Sequence, residues 1–353
     1  MNSPLTPGIL AAVVLCCACD SKVSSYRITS HVPSDPDAFS NALYQSTAAQ
    51  LTAGHHVELV NNGAVFDRLE EELAKARVSI NLVLFIWRPT EPSQRMVNAI
   101  TARAKAGVTC RIIVDAIGSS EFEDAVKPAL VAAGCDVRTF RPAKSGATGD
   151  RNHRKIVVID GKVGFTGGFG IEKPWLGNGR KPDEWRESNA IVVGPAVNMM
   201  QQAFADNWQE VGGPLLPSTD FPVPDVTGPT RAAFVSSTES AHLTRAERLI
   251  QLVIASATRR VWIANAYFVP SPGVVELLLE KKRQGVDVRI MAPSDATDHK
   301  QVLREQRATY PKLLAGGVRI WEYQPSLLHS KTMLADDHLS IRCTEWWLRA
   351  ATD

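Results

Sequence analysis

One structural unit is written twice along this chain of 353 residues, and a duplicated unit constrains the architecture more than any single motif does. The first copy has an amphipathic stretch from Phe66 to Arg77, a strand from Val78 to Trp87 and a helix from Arg95 to Lys105, then the strand-like run Gly107-Val108-Thr109-Cys110-Arg111-Ile112-Ile113-Val114. The second repeats this order with Leu249 to Ser256, Arg260 to Phe268, Gly273 to Arg283 and Gly285-Val286-Asp287-Val288-Arg289-Ile290-Met291. Each copy then reaches another Gly-led strand, Gly134-Cys135-Asp136-Val137-Arg138 and Gly317-Val318-Arg319-Ile320-Trp321. Short apolar strands alternating with helices, with glycine at the helix exits, predict crossover units. The expected fold class is α/β, with two repeated βαβ-type halves and mixed, largely parallel sheets flanked by helices. The expected boundaries are a first half over 40–212, a Pro-rich linker over 213–230 and a second half over 231–353.

Each copy ends in a histidine motif of the same spacing, His153-Arg154-Lys155 with Asp160 and His329-Ser330-Lys331 with Asp336. Residues two apart on a strand project from one face, so His153 with Lys155, and His329 with Lys331, are each expected to point together into whatever cleft that face lines. Asp160 has the opposite parity and precedes Gly161. An Asp-Gly pair between apolar runs is a hairpin signal, so Asp160 is expected to anchor a turn, and Asp336 to play the matching part.

Charge and chain ends narrow the function classes. With 39 basic and 37 acidic residues the net charge is +2, so no global polyanion-binding signal exists and nucleic acid is disfavoured as substrate. Gly8 to Cys19 is a short small-and-apolar run followed by Asp20, Ser21 and Lys22, the anatomy of a signal segment over residues 1–20. Ala18-Cys19 looks like a bacterial lipoprotein cleavage site, which makes Cys19 a lipidation candidate and the bacterial cell envelope the expected location, with the protein exported or membrane-tethered. Cys110 and Cys135 lie in apolar strand-like segments and are expected to be small buried side chains, forming with Cys343 no ligand cluster and no even set. The eight histidines show no zinc-like spacing beyond the adjacent His55-His56, and a lysine beside each motif histidine would repel a cation, so no metal or other cofactor is expected.

Two such motifs in one chain resemble the phospholipase D superfamily. Phe85-Ile86-Trp87-Arg88-Pro89, the run from Ala106 to Ser119 and Tyr267-Phe268-Val269-Pro270-Ser271 resemble its cardiolipin-synthase-like branch, and the likeness extends from about Gly54 to Ser340. The resemblance implies a site at the interface of the halves, where both His-Lys pairs meet around one phosphate, without a metal. Lys155 and Lys331 would neutralise the non-bridging oxygens, and a neutral imidazole would form a covalent phosphohistidine. His153 is the expected nucleophile and His329 the general acid, with the reverse assignment open on symmetry grounds. Glu187 occupies the place where the family supplies a carboxylate to the nucleophilic histidine. Gly168 and Gly170 stand where the family carries a G-S-x-N or G-G-x-N element, so the asparagine is missing, although glycine lets backbone N–H groups approach a phosphate. From Arg342 to Asp353 both family likeness and strand alternation are lost, which reads as a frameshift or truncation.

The leading functional expectation is an envelope enzyme working at a membrane surface on phospholipid, phosphatidylglycerol favoured, either joining two such lipids into cardiolipin or hydrolysing one to phosphatidate. A nuclease of the same superfamily and a degenerate phosphate- or lipid-binding module without turnover are the alternatives.

Overall fold

The computed structural model describes residues 26–142, 151–237 and 243–343, so residues 1–20, where a signal segment with Cys19 is expected, lie outside the described residues, as does the stretch expected to be divergent, except for Arg342, which ends a strand, and Cys343. The chain begins with helix α1 (Pro36–Thr47), whose first turn is capped by the Asp35 carboxylate accepting from the N–H groups of Asp37 and Ala38. There follow β1 (Thr52–Asn61), α2 (Ala64–Lys75), β2 (Ser79–Leu84), α3 (Glu91–Lys105), β3 (Thr109–Asp115), the short α4 (Phe122–Ala125) and α5 (Lys127–Ala132), and β4 (Asp136–Phe140). The hairpin β5 (Ile156–Ile159) and β6 (Val163–Gly167), the two-residue β7 (Trp185–Arg186), β8 (Ser188–Val193) and α6 (Ala196–Glu210) complete the first half. After β9 (Thr230–Ala232), the second half has α7 (Arg245–Ser256), β10 (Arg260–Asn265), α8 (Pro272–Arg283), β11 (Asp287–Pro293), α9 (Lys300–Ala315), β12 (Arg319–Tyr323), β13 (Leu327–Leu328), β14 (Lys331–Ala335) and β15 (Leu339–Arg342).

The strands form an eight-stranded sheet in the order β4-β3-β2-β5-β6-β8-β1-β9 and a five-stranded sheet in the order β12-β11-β10-β14-β15. β2, β3 and β4 run parallel, as do β10, β11 and β12, because a helix crosses between each successive pair. The motif strands join antiparallel to these, β5 beside β2 and β14 beside β10, so the duplicated unit is visible strand for strand. The rest of the large sheet is antiparallel, running from β6 through β8 and β1 to β9 at its edge. β1 is absent from the sequence reading, since His55, His56 and Glu58 interrupt its apolar alternation.

Apolar side chains cover both faces of the large sheet. On one face Val157, Phe165 and Ile191 pack with Phe66, Leu69 and Ile100 of the helices α2 and α3, and on the other Val158, Ala190 and Val192 pack with Met200 and Phe204 of α6. A third cluster around Val261, Ile263, Leu278 and Ile290 forms the core of the second half. Phe39 and Leu43 of α1 belong to this third cluster, so the helix that a boundary at residue 40 would split packs into the second half. The Pro-rich linker returns to the first half, where the buried Asp220 carboxylate accepts from Arg111 Nη1 at 2.7 Å and from Asn81 Nδ2 at 3.2 Å, and its end forms β9 against β1.

Cys110 and Cys135 are both buried, but they are not separate thiols: they form a disulfide with a Cα–Cα distance of 4.7 Å. The pairing follows from register. Arg111 lies opposite Asp136 in the parallel β3–β4 pair, so the preceding residues, Cys110 and Cys135, also face each other. Only the strand register makes residues 25 apart into neighbours. No helix among the described residues is long and apolar enough to cross a membrane.

Candidate active site

Both motif aspartates serve the scaffold. Asp160, at φ 54° before Gly161 at φ 64°, turns the β5–β6 hairpin, and its carboxylate accepts from the N–H groups of Arg77, Val78 and Ser79 at 2.7–3.1 Å. Asp336, at φ 53°, repeats this at the β14–β15 turn, accepting from the N–H groups of Thr258, Arg259 and Arg260 and from the Thr258 hydroxyl. Burial raises the Asp336 pKa, but these donors outweigh it and hold the carboxyl at about 2. Each aspartate thereby ties its motif hairpin to the start of the neighbouring strand, β2 or β10, and so sets the height of the histidine and lysine at the hairpin's other end.

At that end the two His-Lys pairs take matching positions. Lys155 donates from Nζ to its own motif's His153 Nδ1 at 2.9 Å and to the His153 carbonyl at 2.8 Å. Lys331 donates to His329 Nε2 at 2.9 Å and to the His329 carbonyl at 2.8 Å. Both lysines are almost wholly buried, at 1% and 2% exposure, which for ammonium groups signals a site built to hold negative charge. An aromatic ring from the end of the adjacent strand lies under each pair. Phe85 is 4.7 Å from the His153 ring and 5.3 Å from Lys155 Nζ, and Tyr267 is 6.0 Å from the His329 ring and 5.6 Å from Lys331 Nζ. The two rings are not at equivalent positions of the repeat: Ile80 and Val261 each pair with the sixth residue after a motif histidine, so Phe85 corresponds to Ala266 and Tyr267 to Ile86.

Glu187 stands elsewhere than expected. Its Oε2 accepts from Nδ1 of His329 at 2.6 Å, so the carboxylate serves the second histidine and not His153. The reason lies in two pieces of backbone. β7 pairs in parallel with β13, and the Arg186 carbonyl accepts from the N–H groups of His329 at 2.9 Å and Ser330 at 3.0 Å, which brings the next residue, Glu187, against the His329 ring. His153, by contrast, lies three residues before β5, and β6 runs between β5 and β8, the strand that Glu187 immediately precedes. Gly168 makes room for the contact, since a Cβ there would overlap the Glu187 carboxylate. At Gly170 the same space is taken by Ile86 and Trp175, 3.0 and 3.1 Å from a notional Cβ. Packing against the Glu187 carboxylate thus excludes a side chain at 168, whereas one at 170 would ask Ile86 and Trp175 to give by a few tenths of an ångström.

Hydrogen bonding fixes the His329 tautomer. A carboxylate needs a proton on Nδ1 and an ammonium needs a lone pair on Nε2, so the ring is neutral. Burial first, then the Lys331 ammonium, push its pKa down to about 4 against the opposing pull of Glu187. Lys155, from the other half, also opposes protonation of His329. A charge of the first motif is thus felt at the histidine of the second. Trp185 at 4.9 Å and Trp175 at 5.7 Å between ring centroids wall the His329 side. Among the described residues no group of three or more His, Cys, Asp or Glu side chains is placed to hold a metal.

The family model described as "Cardiolipin synthase, PLD-like domain" matches residues 69–208 and 249–345, the two copies of the repeat with their motifs. The chain belongs to the phospholipase D superfamily, in its cardiolipin-synthase-like branch. This phospholipase D-like chain is 33% identical over 289 residues to a cardiolipin synthase of Geobacillus kaustophilus (strain HTA426), covering 80% of this chain and 57% of that protein. A cardiolipin synthase of Geobacillus sp. (strain WCH70) is 34% identical over the same shares. The chain therefore spans a little over half the length of these relatives. Among solved structures, the phosphatidylserine synthase of Haemophilus influenzae Rd KW20 superposes with a TM-score of 0.56 at 12% identity, over 84% of this chain and 80% of that one, a likeness of fold.

Proposed function

We propose that the protein is a phosphatidyltransferase that cleaves and re-forms phospholipid phosphodiesters through a phosphohistidine, with phosphatidylglycerol as the favoured donor. The Glu187–His329–Lys331 array is the observation that carries this reading. An imidazole whose Nδ1 proton is held by a buried carboxylate presents the Nε2 lone pair as a nucleophile at neutral pH. The nucleophile is then His329, and His153 becomes the acid and base, the reverse of the order favoured by motif position.

In the first step His329 Nε2 attacks phosphorus, the bond from phosphorus to the glycerol oxygen breaks, and His153 delivers a proton to the departing alkoxide. Lys331 turns from Nε2 to a non-bridging oxygen as the phosphate arrives, and Lys155 neutralises another. In the second step a hydroxyl of the acceptor gives its proton to His153 and attacks phosphorus, and the phosphorus–Nε2 bond breaks. A second phosphatidylglycerol as acceptor yields cardiolipin, and water yields phosphatidate.

A location outside the reducing cytosol at a bacterial envelope membrane forms part of the proposal. The disulfide between Cys110 and Cys135 supports it, because such bonds persist in oxidising compartments. The deciding experiment incubates purified protein with phosphatidylglycerol vesicles labelled at phosphorus, quenches early and maps the label. Label on His329 in the parent protein, lost in His329→Ala, is the expected result. Label on His153 overturns the assignment of roles, and absence of both label and lipid products overturns the enzyme reading.

A further inference from the structure

The sequence lacks the asparagine that usually follows the first motif, and a buried amide stands beside the gap. We propose that Asn189, on β8, is a substrate-contacting residue whose side-chain amide binds the phosphate from the neighbouring strand. This rests on the reading of the site as a phosphodiester site.

Asn189 is 1% exposed, and among the described residues neither its Oδ1 nor its Nδ2 has a hydrogen-bond partner. Folded proteins rarely bury an amide with both atoms unbonded, because the lost water contacts are not replaced, and such a group in a native structure marks a missing ligand or solvent molecule. Strand register shows which way it faces. Gly167 pairs with Asn189 across β6–β8, and Ile156 pairs with Thr166 across β5–β6, so Lys155, Gly167 and Asn189 lie side by side at one level of the sheet. The level beneath is Val157, Phe165 and Ile191, all in one core cluster, whereas the neighbours Ile156, Val158, Ala190 and Val192 belong to the opposite face. Asn189 therefore shares its face with Lys155 and, two residues back along the chain, with Glu187.

The middle of the row is empty of side chain. Gly167 sits at φ +157°, and a Cβ there would lie 2.9 Å from Cγ of Asn189 and overlap its Oδ1. The end of the amide thus stands over Gly167, where a side chain at 167 would lie, in the row that leads to Lys155. Nδ2 is a donor suited to a non-bridging phosphate oxygen, the same charge that Lys155 is placed to meet.

The test measures binding apart from turnover. Titration of inorganic phosphate into the parent protein, Asn189→Ala and Asn189→Asp, followed by calorimetry, is expected to show affinity falling about ten- to a hundred-fold in Asn189→Ala, the range for one hydrogen bond to a charged group. Asn189→Asp, nearly identical in shape, should bind phosphate more weakly still, and it replaces Asn189→Ala if that variant fails to fold. The value of kcat/KM on phosphatidylglycerol vesicles should fall in parallel, with the unfolding temperature unchanged. Phosphate affinity within two-fold of the parent in both variants overturns the proposal, even if turnover or stability is lost, because a structural asparagine would behave so. Failure of the parent protein to bind phosphate overturns it too. Phosphate binding that depends on Asn189 in a protein that turns over no phospholipid would leave this inference standing and remove the transferase reading.

Discussion

Replacing Glu187 by glutamine removes one buried negative charge and little else. The glutamine carbonyl oxygen can still accept from His329 Nδ1, now 2.6 Å from Oε2, and the side chain still fits over Gly168. What disappears is the field that stabilises the ring once Nε2 is phosphorylated and the imidazole becomes cationic. With charge centres about 4 Å apart and an effective dielectric constant of about 20, that attraction is worth about 4 kcal/mol. Loss of this energy in the transition state lowers kcat by about a thousand-fold. Because Glu187 is fully buried, salt should not screen the effect. The assay is early product formation from phosphatidylglycerol vesicles in Glu187→Gln and in Glu187→Asp, which keeps the charge but shortens the reach and should retain more activity than Glu187→Gln. Thermal unfolding of both variants controls for folding. A kcat for Glu187→Gln within about threefold of the parent would refute the argument that this carboxylate supports a nucleophilic His329, as would a ranking in which Glu187→Asp is the poorer enzyme.

Other outcomes follow from the same geometry. Lys155→Ala and Lys331→Ala should each lower kcat/KM by about a hundred-fold or more, since each removes a buried ammonium aimed at the phosphate, and the double variant should fall short of the product of the two effects, as measured by initial rates. Asp336→Ala should destabilise the protein by about 3 kcal/mol or more in a denaturant titration, because it strands the N–H groups of Thr258, Arg259 and Arg260. His329 titrates at about 6.5 when unfolded and at about 4 when folded. The unfolded chain therefore takes up the extra proton, and a stability present above pH 6.5 is lost as pH falls towards 4, by an amount on the order of 3 kcal/mol. His329→Phe should flatten this part of the pH–stability curve. Cys110→Ser, which opens a loop of 25 residues, should lower stability by about 3 kcal/mol, seen as a shift in the denaturant midpoint that added reductant reproduces in the parent protein.

Reading along the chain recovered what depends on local pattern. Apolar alternation, glycine at helix exits and the doubled motif were enough for the two halves, for the pairing of His153 with Lys155 and of His329 with Lys331, and for the turn-anchoring part of Asp160 and Asp336, because residues two apart on a strand share a face whatever the rest of the fold does. Contacts between distant residues carry no such local mark. That Cys110 meets Cys135 depends on the register of two strands, that α1 joins the second half depends on which core has room for Phe39 and Leu43, and that β1 is a strand at all depends on β8 beside it. Likewise, Glu187 belongs to His329 because β7 pairs with β13 across the two halves, and Asn189 shares a sheet face and level with Lys155 because strand register sets Gly167 between them. The sequence alone determined which groups could do phosphate chemistry, through residue type and parity. Only the tertiary structure decided which of them act on each other, because charge and hydrogen bonding fall off over a few ångströms and those distances are made by strands far apart along the chain.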